Sequence, residues 1–527
     1  MWPISDTVRA VNQPAVMREI ERKLDVPARF RVPSLAGTAG VGQARPLPTL
    51  RLSAVYYDTA DLRLARNHIT LRRRVGGHDD GWHLKLPVVP KAKSARKEDA
   101  TRDELHLPLT MSKSHPPAAL EQMVVGVTRG AALRAVATLR NERRPIELVD
   151  SEGRPLAELT DDRVTVVRSG KVTAKFREVE IEAAAGRTLS DIEPIVQALL
   201  AAGASASGFS SKAGRALGEQ AAAPPDIVVR GKVRPADPAA AAITAHIARH
   251  AAALVRADLW VRRGLPDGVH QMRVAARQLR SGMRTFGPLL EREWAKGLRD
   301  ELGWLAGELG AARDREVLEA RLRESLLRLP VPAADAQAAL AVVHAQFAAD
   351  SVAASQRVDD ALSSERYRAL LEALVEAAHA PHTTEAAAES SAAALPLLVH
   401  RSWKRLRRDA EALRRKGPDT EWHAVRLRAK QTRYALDTVA PVFGPPAREW
   451  AQQLVRVTEL LGNHQDAALA AEATRVLAAG AEGTVGFVLG LLYDEQRAVV
   501  AASRKEFLKV WPHVAHSRWR RWMRDYR

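Results

Sequence analysis

The sequence contains no cysteine among its 527 residues. This absence excludes disulfide bonds, thiolate metal ligands and a cysteine nucleophile, so any metal site must use oxygen or imidazole ligands. Aromatic residues make up only 5% of the chain, and no apolar run approaches the roughly 18 residues needed to span a bilayer. The segment Met1–Met17 also lacks the charged and then apolar order of a signal peptide. We therefore expect a cytoplasmic protein with no membrane partner.

The chain has fewer acidic than basic residues. Lysine and arginine together number 80 against 62 for aspartate and glutamate, which leaves a formal net charge of +18. An excess of this kind favours a polyanionic partner, and nucleic acid, an anionic membrane surface and polyphosphate all remain open on charge alone. The length of the chain predicts about two to four domains.

The composition changes near residue 220. Before it, short alternating or turn-bounded segments predict strands. These segments are Arg18–Val26, Ser53–Asp58, Thr70–Val75, Trp82–Leu86, Thr101–Leu107, Arg163–Arg168 and Lys175–Ala183. A proline-rich stretch then indicates a linker, and beyond it alanine, leucine, arginine and glutamate recur at helical spacing. We predict an α+β two-domain protein, with a strand-rich domain over 14–219, a linker over 220–235 and an all-helical domain over 236–523.

The helical half contains an internal repeat. The pattern His270, Arg273, Arg277 and Arg280 recurs about 150 residues later as His423, Arg426, Lys430 and Arg433. The motif LGAARD, which ends at Asp314, recurs at nearly the same offset as LGNHQD, which ends at Asp466. Two motifs that keep nearly the same offset predict a duplication, with repeats at about 236–378 and 396–523. The Ala-, Ser- and Pro-rich segment between the repeats is expected to be a flexible connection.

Charged residues share one face of several predicted strands. Residues two apart in a strand project to the same side, and four rows follow this rule. The rows are Glu19, Glu21 and Lys23; Arg72 and Arg74; His83 and Lys85; and Glu178, Glu180 and Glu182. An antiparallel barrel would point these rows at one another, and buried ions are costly unless they are paired. The cost of burying these charges is offset if the carboxylates hold Mg²⁺ or Mn²⁺ and the cations hold phosphate. The pattern therefore predicts a metal-bound phosphate chain as ligand.

Six segments of the front half resemble the CYTH domains, also called triphosphate tunnel metalloenzymes. They are EIERK at 19–23, YYDT at 56–59, LRRR at 71–74, HLKLP at 83–87, EVEIE at 178–182 and SKAGRAL at 211–217. The resemblance implies an N-terminal antiparallel eight-stranded tunnel that hydrolyses triphosphate-containing substrates with a divalent metal.

The resemblance also implies roles for individual residues. The metal ligands would be Glu19, Glu21, Asp162, Glu180 and Glu182. The phosphate-binding residues would be Lys23, Arg72, Arg74, Lys85, Arg143 and Lys212. Glu19, Glu21, Lys23 and Lys85 would be catalytic. At two positions, NERRP at 141–145 and TDDR at 160–163, an adjacent residue of the same type competes for the role.

Cations form one stripe on a helix in each repeat of the back half. His270, Arg273, Arg277, Arg280 and Arg284 follow intervals of 3 and 4 residues, and the second stripe is His423, Arg426, Lys430 and Arg433. Two stripes facing one groove would track a long polyanion. The stripes resemble the CHAD domain, which implies two related four-helix bundles that bind inorganic polyphosphate. A CYTH domain followed by CHAD resembles the bacterial inorganic triphosphatases.

The expected function is metal-dependent hydrolysis of inorganic triphosphate or short polyphosphate, with the helical domain binding polyphosphate or targeting polyphosphate granules. One alternative is a non-catalytic polyphosphate-binding protein, and a weaker one is a CYTH-type adenylate cyclase, for which we identify no residue that would orient a ribose or base. The ending HSRWRRWMRDYR could stack on nucleic acid bases. We expect instead that Trp519 and Trp522, three residues apart, pack into a core.

Overall fold

The structure of the protein is a computed structural model that describes residues 15–88, 101–112, 114–209, 211–229 and 231–526. The chain divides into two compact units, Met1–Asp226 and Ile227–Arg527. The division falls inside the segment 220–235 that the sequence indicates as a linker, although a short helix, Glu219–Ala222, occupies the start of that segment.

The first unit is a closed antiparallel barrel. Its strands are β1 (Ala15–Asp25), β2 (Gln43–Pro46), β3 (Leu50–Asp58), β4 (Thr70–Val75), β5 (Gly81–Pro87), β6 (Thr101–Leu107), β7 (Arg134–Val149), β8 (Pro155–Arg168), β9 (Lys171–Ala183) and β10 (Ser205–Ala206). Eight of them follow the order β1-β6-β5-β4-β3-β7-β8-β9, and β9 pairs again with β1 to close the barrel. The short strands β2 and β10 pair with β7 and β1. The predicted eight-stranded barrel is therefore confirmed.

The barrel has a charged interior, and part of its exterior is apolar. Because side chains alternate along a strand, the residues next to the charged rows point outward. Leu24, Val179 and Ile181 are buried in this way against the helix Leu189–Ala201. The first turn of this helix is fixed by a capping box in which Thr188 and Asp191 bond each other's backbone. Packing on the outside of the barrel thus fixes which side chains face the inside.

The sequence patterns missed part of the sheet. All seven predicted strands are present, but β7 was not predicted, because its run of arginines and its Pro145 obscure the alternation. Strand β8 begins at Pro155, well before the predicted Arg163, since its first half carries acidic residues that point to both faces. The short strand β2 was not predicted either. The barrel unit also has short helices at Arg63–Arg66, Ala118–Met123, Val125–Thr128 and Lys212–Leu217.

The second unit is helical, as predicted. Its described residues form the long helices α1 (Ala239–Arg262), α2 (Gly268–Thr285), α3 (Arg292–Leu326), α4 (Ala333–Ser363), α5 (Glu365–His379), α6 (Ser391–Glu411), α7 (Asp419–Phe443), α8 (Pro445–Ala479) and α9 (Gly483–Ala515). Short 3-10 helices occupy Gly287–Leu289, Glu385–Ala388 and Ser517–Arg524. Helices α3 and α8 both have 35 residues and hold the same place in the two halves. The duplication of the bundles remains a prediction.

The connection between the two halves packs against the helices. Ala387 is buried, and the backbone N–H of Thr384 donates to the carbonyl of Leu289 at 3.0 Å. At the end of the chain, Trp522 is buried beside Phe443, with ring centroids 4.9 Å apart, and Trp519 packs on the same core. The prediction that the two terminal tryptophans pack is confirmed. No helix in the described part of the chain combines the length and the apolar character that crossing a bilayer requires.

Candidate functional site

The barrel encloses a cavity of about 550 Å³. Ten of the eleven residues assigned to metal or phosphate from the sequence line this cavity. They are Glu19, Glu21, Lys23, Arg72, Arg74, Lys85, Arg143, Glu180, Glu182 and Lys212. The exception is Asp162, which is fully buried directly behind the cavity wall. Strand register explains the convergence, because Glu21 lies opposite Glu182, and Lys23 lies opposite Glu180, across the seam that closes the barrel.

Lys212 is the centre of the most crowded part of the site. Its Nζ lies 2.7 Å from Glu178 Oε1, 2.7 Å from Glu180 Oε2 and 2.9 Å from Asp162 Oδ2. Asp162 also accepts hydrogen bonds from Arg143 Nε at 2.9 Å and from Arg143 Nη2 at 2.8 Å. A carboxylate that bridges two cations from behind fixes the position of both of them.

Because side chains alternate along a strand, the structure distinguishes Arg143 from Arg144 and Asp162 from Asp161, two choices that the sequence left open. Arg143 reaches Asp162 and Glu180, whereas Arg144 is exposed and bonds Glu142 at 2.8 Å on the barrel's other face. Similarly, Asp162 meets the cavity cations, while Asp161 pairs with Arg177 at 2.7 Å. The structure therefore places Arg143 and Asp162, and not their neighbours, at the site.

Glu104 on β6 belongs to the site and was not identified from the sequence. Its Oε1 lies 2.7 Å from His83 Nδ1 and 3.6 Å from Arg72 Nη2, and its Oε2 lies 3.7 Å from Lys85 Nζ. Lys85 also forms an ion pair with Glu19. A signal was available, because Glu104 stands two residues from Arg102 and from His106 and all three line the cavity.

Burial and neighbouring charges shift several of these groups in opposite directions. Burial raises the pKa of Glu19 to about 8, and the hydrogen bond to Glu104 acts in the same direction. Burial alone would also raise the pKa of Glu180, but Lys212 and Lys23 hold it well below its usual range. Within one site, burial therefore favours the neutral form of Glu19, whereas the neighbouring lysines keep Glu180 charged.

The arginines of β4 have donors that the protein does not use. The Nε atoms of Arg72 and Arg74 are buried and have no hydrogen-bond partner among the described residues. Burial and the charges of Arg72 and Arg143 lower the pKa of Arg74 to about 9. Buried guanidinium groups with unused N–H donors and like-charged neighbours are suited to an incoming anion.

The carboxylates fit a hard divalent cation. Asp162, Glu178 and Glu180 each offer an oxygen, and these three oxygens lie within 4.8 Å of one another. Glu19, Glu21 and Glu182 add three further carboxylates around the same cavity. An all-oxygen donor set favours Mg²⁺ or Mn²⁺ over softer metals. The sequence placed Glu178 in the acidic row but left it out of the metal ligands, and the structure puts it in the cluster.

The helical unit brings its two cation stripes together. Arg277 of α2 lies over the ring of Tyr434 of α7 at 5.6 Å, and Arg433 lies over the same ring at 4.9 Å. Burial lowers the pKa of Lys430 to about 8, with Arg426 and Arg277 acting in the same direction. We call the surface formed by Arg277, Arg426, Lys430 and Arg433 the basic groove. The Nε atoms of its three arginines are buried without a hydrogen-bond partner among the described residues.

The remaining predicted stripe residues lie around the basic groove in different settings. Arg273 pairs with Asp314 at 2.9 Å, and His423 Nδ1 contacts Gln465 Oε1 at 2.7 Å. Arg284 is half-buried, and burial together with Arg299 and Arg280 lowers its pKa. Two further residues, Arg280 and His270, belong to α2, and Arg280 packs over Gly303 of α3. Asp314 belongs to the LGAARD motif and Gln465 to the LGNHQD motif, so each motif contacts a stripe residue of its own half, although the two contacts are not at corresponding positions.

Comparison with known proteins assigns both units. Residues 17–202 match the CYTH domain, and residues 242–475 match the CHAD domain. The uncharacterized protein Rv2226 of Mycobacterium tuberculosis is 33% identical over 525 residues, which cover 94% of this chain and 96% of that protein. Among solved structures, PptA from Streptomyces chartreusis is 26% identical over 52% of this chain and 100% of its own, with a TM-score of 0.47. The CHAD domain from the plant Ricinus communis is 25% identical over 53% of this chain and 95% of its own, with a TM-score of 0.41.

Proposed function

This chain belongs to the family in which a CYTH domain precedes a CHAD domain, and from this premise we propose that it hydrolyses inorganic triphosphate and short polyphosphate in its barrel. The observation that carries the proposal is the cavity lined by opposed rows of carboxylates and cations. Phosphoryl transfer depends on positioning and on neutralising charge, and it needs both kinds of side chain. The helical unit, in this proposal, binds inorganic polyphosphate in the basic groove.

The cations of the barrel would bind and align the phosphate chain. Arg72 and Arg74 offer unused N–H donors from one strand, and Arg143 is held in place by Asp162. Arginine binds phosphate oxygens in bidentate fashion, so three fixed guanidinium groups can set the line of the chain. Lys23 and Lys85 each pair with a glutamate of the site, and they would neutralise charge that develops on the transferred and leaving phosphates.

Glu19, Glu21, Glu180 and Glu182, with Asp162 and Glu178 behind them, would hold Mg²⁺ or Mn²⁺. When bound, a divalent ion polarises phosphate oxygens and makes a coordinated water a better nucleophile. The protein's own contribution is to keep Glu21, Asp162 and Glu180 ionised through their lysine and arginine partners, and to orient all six acids by the closed barrel.

The lining of the cavity favours a bare phosphate chain over a nucleotide. Charged residues make up 14 of the 25 residues that line the cavity, and the hydroxyl of Tyr56 accepts a hydrogen bond from Arg72 at 3.4 Å. Cyclisation of a nucleotide would require side chains that orient a ribose and a base. The charged lining therefore supports hydrolysis of inorganic triphosphate over the adenylate cyclase alternative.

The proposed activity is tested by following phosphate release from tripolyphosphate with Mg²⁺, with Mn²⁺ and with excess EDTA. Release that requires the added metal supports the hydrolase. No release with either metal, from protein that still binds polyphosphate, would favour the non-catalytic polyphosphate-binding alternative.

Charge reversal in the basic groove should weaken polyphosphate binding. Changing Arg277→Glu together with Lys430→Glu replaces two phosphate-facing cations, so we expect the affinity at moderate salt to fall by at least about a hundredfold. The dependence of log K on log salt should also become shallower, because fewer counterions are released. The matched control is Arg448→Glu with Lys505→Glu, which reverses two exposed cations of α8 and α9. An equal loss in both variants would contradict the groove assignment.

Polyphosphate binding should also depend on pH through Lys430. Its pKa is lowered to about 8, so the side chain is charged at pH 7 and mostly neutral at pH 9. If only the charged form binds, the affinity falls by up to about tenfold over this interval. Titrations with Lys430→Arg provide the control, since arginine stays charged and should remove the pH dependence. An identical pH profile for the two proteins would show that Lys430 does not contact the ligand.

A further inference from the structure

The loop between β4 and β5 brings an acidic side chain to the cavity. Asp79 lines the cavity, its side chain is 52% exposed, and its carboxylate forms an ion pair with the guanidinium group of Arg74. Two contacts hold the loop in this position. The backbone N–H of Gly77 donates to Asp80 Oδ1 at 2.9 Å, and His83 Nε2 lies 2.9 Å from the backbone oxygen of Asp79.

The position of Asp79 differs from that of the other acids in the barrel. Glu104, Glu178 and Glu180 lie on strands and are largely buried. Asp79 instead belongs to a loop and is half exposed, so it can leave Arg74 for water at little cost. Its removal would free the Nη2 atom of a buried guanidinium group whose Nε already lacks a hydrogen-bond partner in the part of the chain that the structure describes.

We propose that Asp79 stands in for a phosphate group of the substrate, occupying Arg74 in the free protein and competing with the incoming chain for it. The inference rests on the proposed function, because it takes Arg74 as a phosphate-binding residue. A phosphate group carries more charge than a carboxylate and more acceptor oxygens, so a polyphosphate chain displaces Asp79. After cleavage the carboxylate can reclaim Arg74, which weakens the hold on the product. Asp79 is therefore a residue that sets affinity, and it selects for ligands with high charge density.

A double-mutant cycle tests the competition directly. Tripolyphosphate binding is measured by calorimetry in EDTA, so that binding is separated from turnover. The full chain also carries Arg277→Ala and Lys430→Ala, so that the basic groove contributes little. In this background the compared proteins are the unchanged barrel, Asp79→Asn, Arg74→Ala and the combination of the two. Asp80→Asn is the matched control, because it removes one charge from the same loop while keeping an oxygen that can accept the bond from Gly77.

We expect Asp79→Asn to tighten tripolyphosphate binding by about three- to tenfold. Asp80→Asn should leave it within about twofold. The gain in affinity should disappear when Arg74 is alanine, since Asp79 and the ligand then no longer compete for a guanidinium group. Asp79→Ser should tighten binding as Asp79→Asn does. This second variant shows whether the effect comes from the loss of the carboxylate or from the asparagine side chain itself. Unchanged or weaker binding in the Asp79 variants, or an equal gain in the Arg74→Ala background, would overturn the proposal.

The outcome is separable from that of the proposed function. If the double-mutant cycle for tripolyphosphate binding gives the expected result but no phosphate is released with Mg²⁺ or Mn²⁺, the competition by Asp79 is supported and the proposed hydrolase activity is contradicted. If the protein hydrolyses tripolyphosphate but Asp79→Asn does not tighten binding, the hydrolase activity is supported and the competition by Asp79 is contradicted.

Discussion

Changing Glu19→Gln together with Glu21→Gln is expected to reduce metal-dependent phosphate release from tripolyphosphate by at least about a thousandfold. Both side chains line the cavity and are buried, and glutamine keeps their size while removing the negative charge. Neutral amides bind hard divalent cations much more weakly than carboxylates do. The loss should appear mainly in kcat, because Arg72 and Arg143 still hold the phosphate chain.

The control for this variant is Glu142→Gln with Glu147→Gln. These glutamates lie on β7, are partly exposed, and pair with Arg144 and Arg45. The control removes the same charge from the same barrel without reaching the cavity, so it should keep wild-type activity. Activity that survives in the Glu19 and Glu21 variant at the control's level would remove these residues from the metal site.

Changing Lys212→Met is expected to lower the free energy of unfolding by about 3–5 kcal/mol at pH 7.5. The lysine is nearly buried and contacts Asp162, Glu178 and Glu180 within 2.9 Å. Its loss leaves these carboxylates with too few cations. Burial already raises the pKa of Glu178 with the lysine present, so in the variant these acids should take up protons more readily. A group whose pKa is raised in the folded state favours folding at low pH, and the deficit should therefore shrink as the pH falls toward 5.5.

Urea denaturation at several pH values, with Lys175→Met as the control, checks this prediction. Lys175 is exposed on β9, so its replacement should change stability by less than about 0.5 kcal/mol. A Lys212→Met deficit that is independent of pH would show that lost packing, rather than uncompensated charge, is the cause.

The barrel and most of its lining could be predicted from the sequence because the alternation of charged residues along each strand indicates which side chains face the interior. Glu19, Glu21 and Lys23 share a face in any strand, and the closed sheet then brings them opposite Glu182 and Glu180. The proximity of Lys212 to three acids was not predictable in this way. It depends on a short helix that enters the barrel wall from outside the strand pattern.

The missed residues differ in how much the sequence shows of them. Glu104 shares a strand face with Arg102 and His106, a row that the sequence shows, and β6 brings this row to the cavity by pairing with both β1 and β5. Asp79 looks like a turn residue until the loop folds back on Arg74. In the helical unit, the stripes were readable from spacing alone. The contact of Arg277 with the ring of Tyr434, over which Arg433 also lies, depends on the packing of α2 against α7 and could not be predicted from spacing.

The most direct test of the central claim compares kcat/KM for tripolyphosphate and for ATP in the presence of Mg²⁺ or Mn²⁺, with the Glu19 and Glu21 double variant as the blank. The charged lining of the cavity predicts that tripolyphosphate is preferred by at least about a hundredfold, and that the double variant turns over neither substrate. Equal or better use of ATP, or release of phosphate that the double variant retains, would contradict an inorganic triphosphatase built on this cavity.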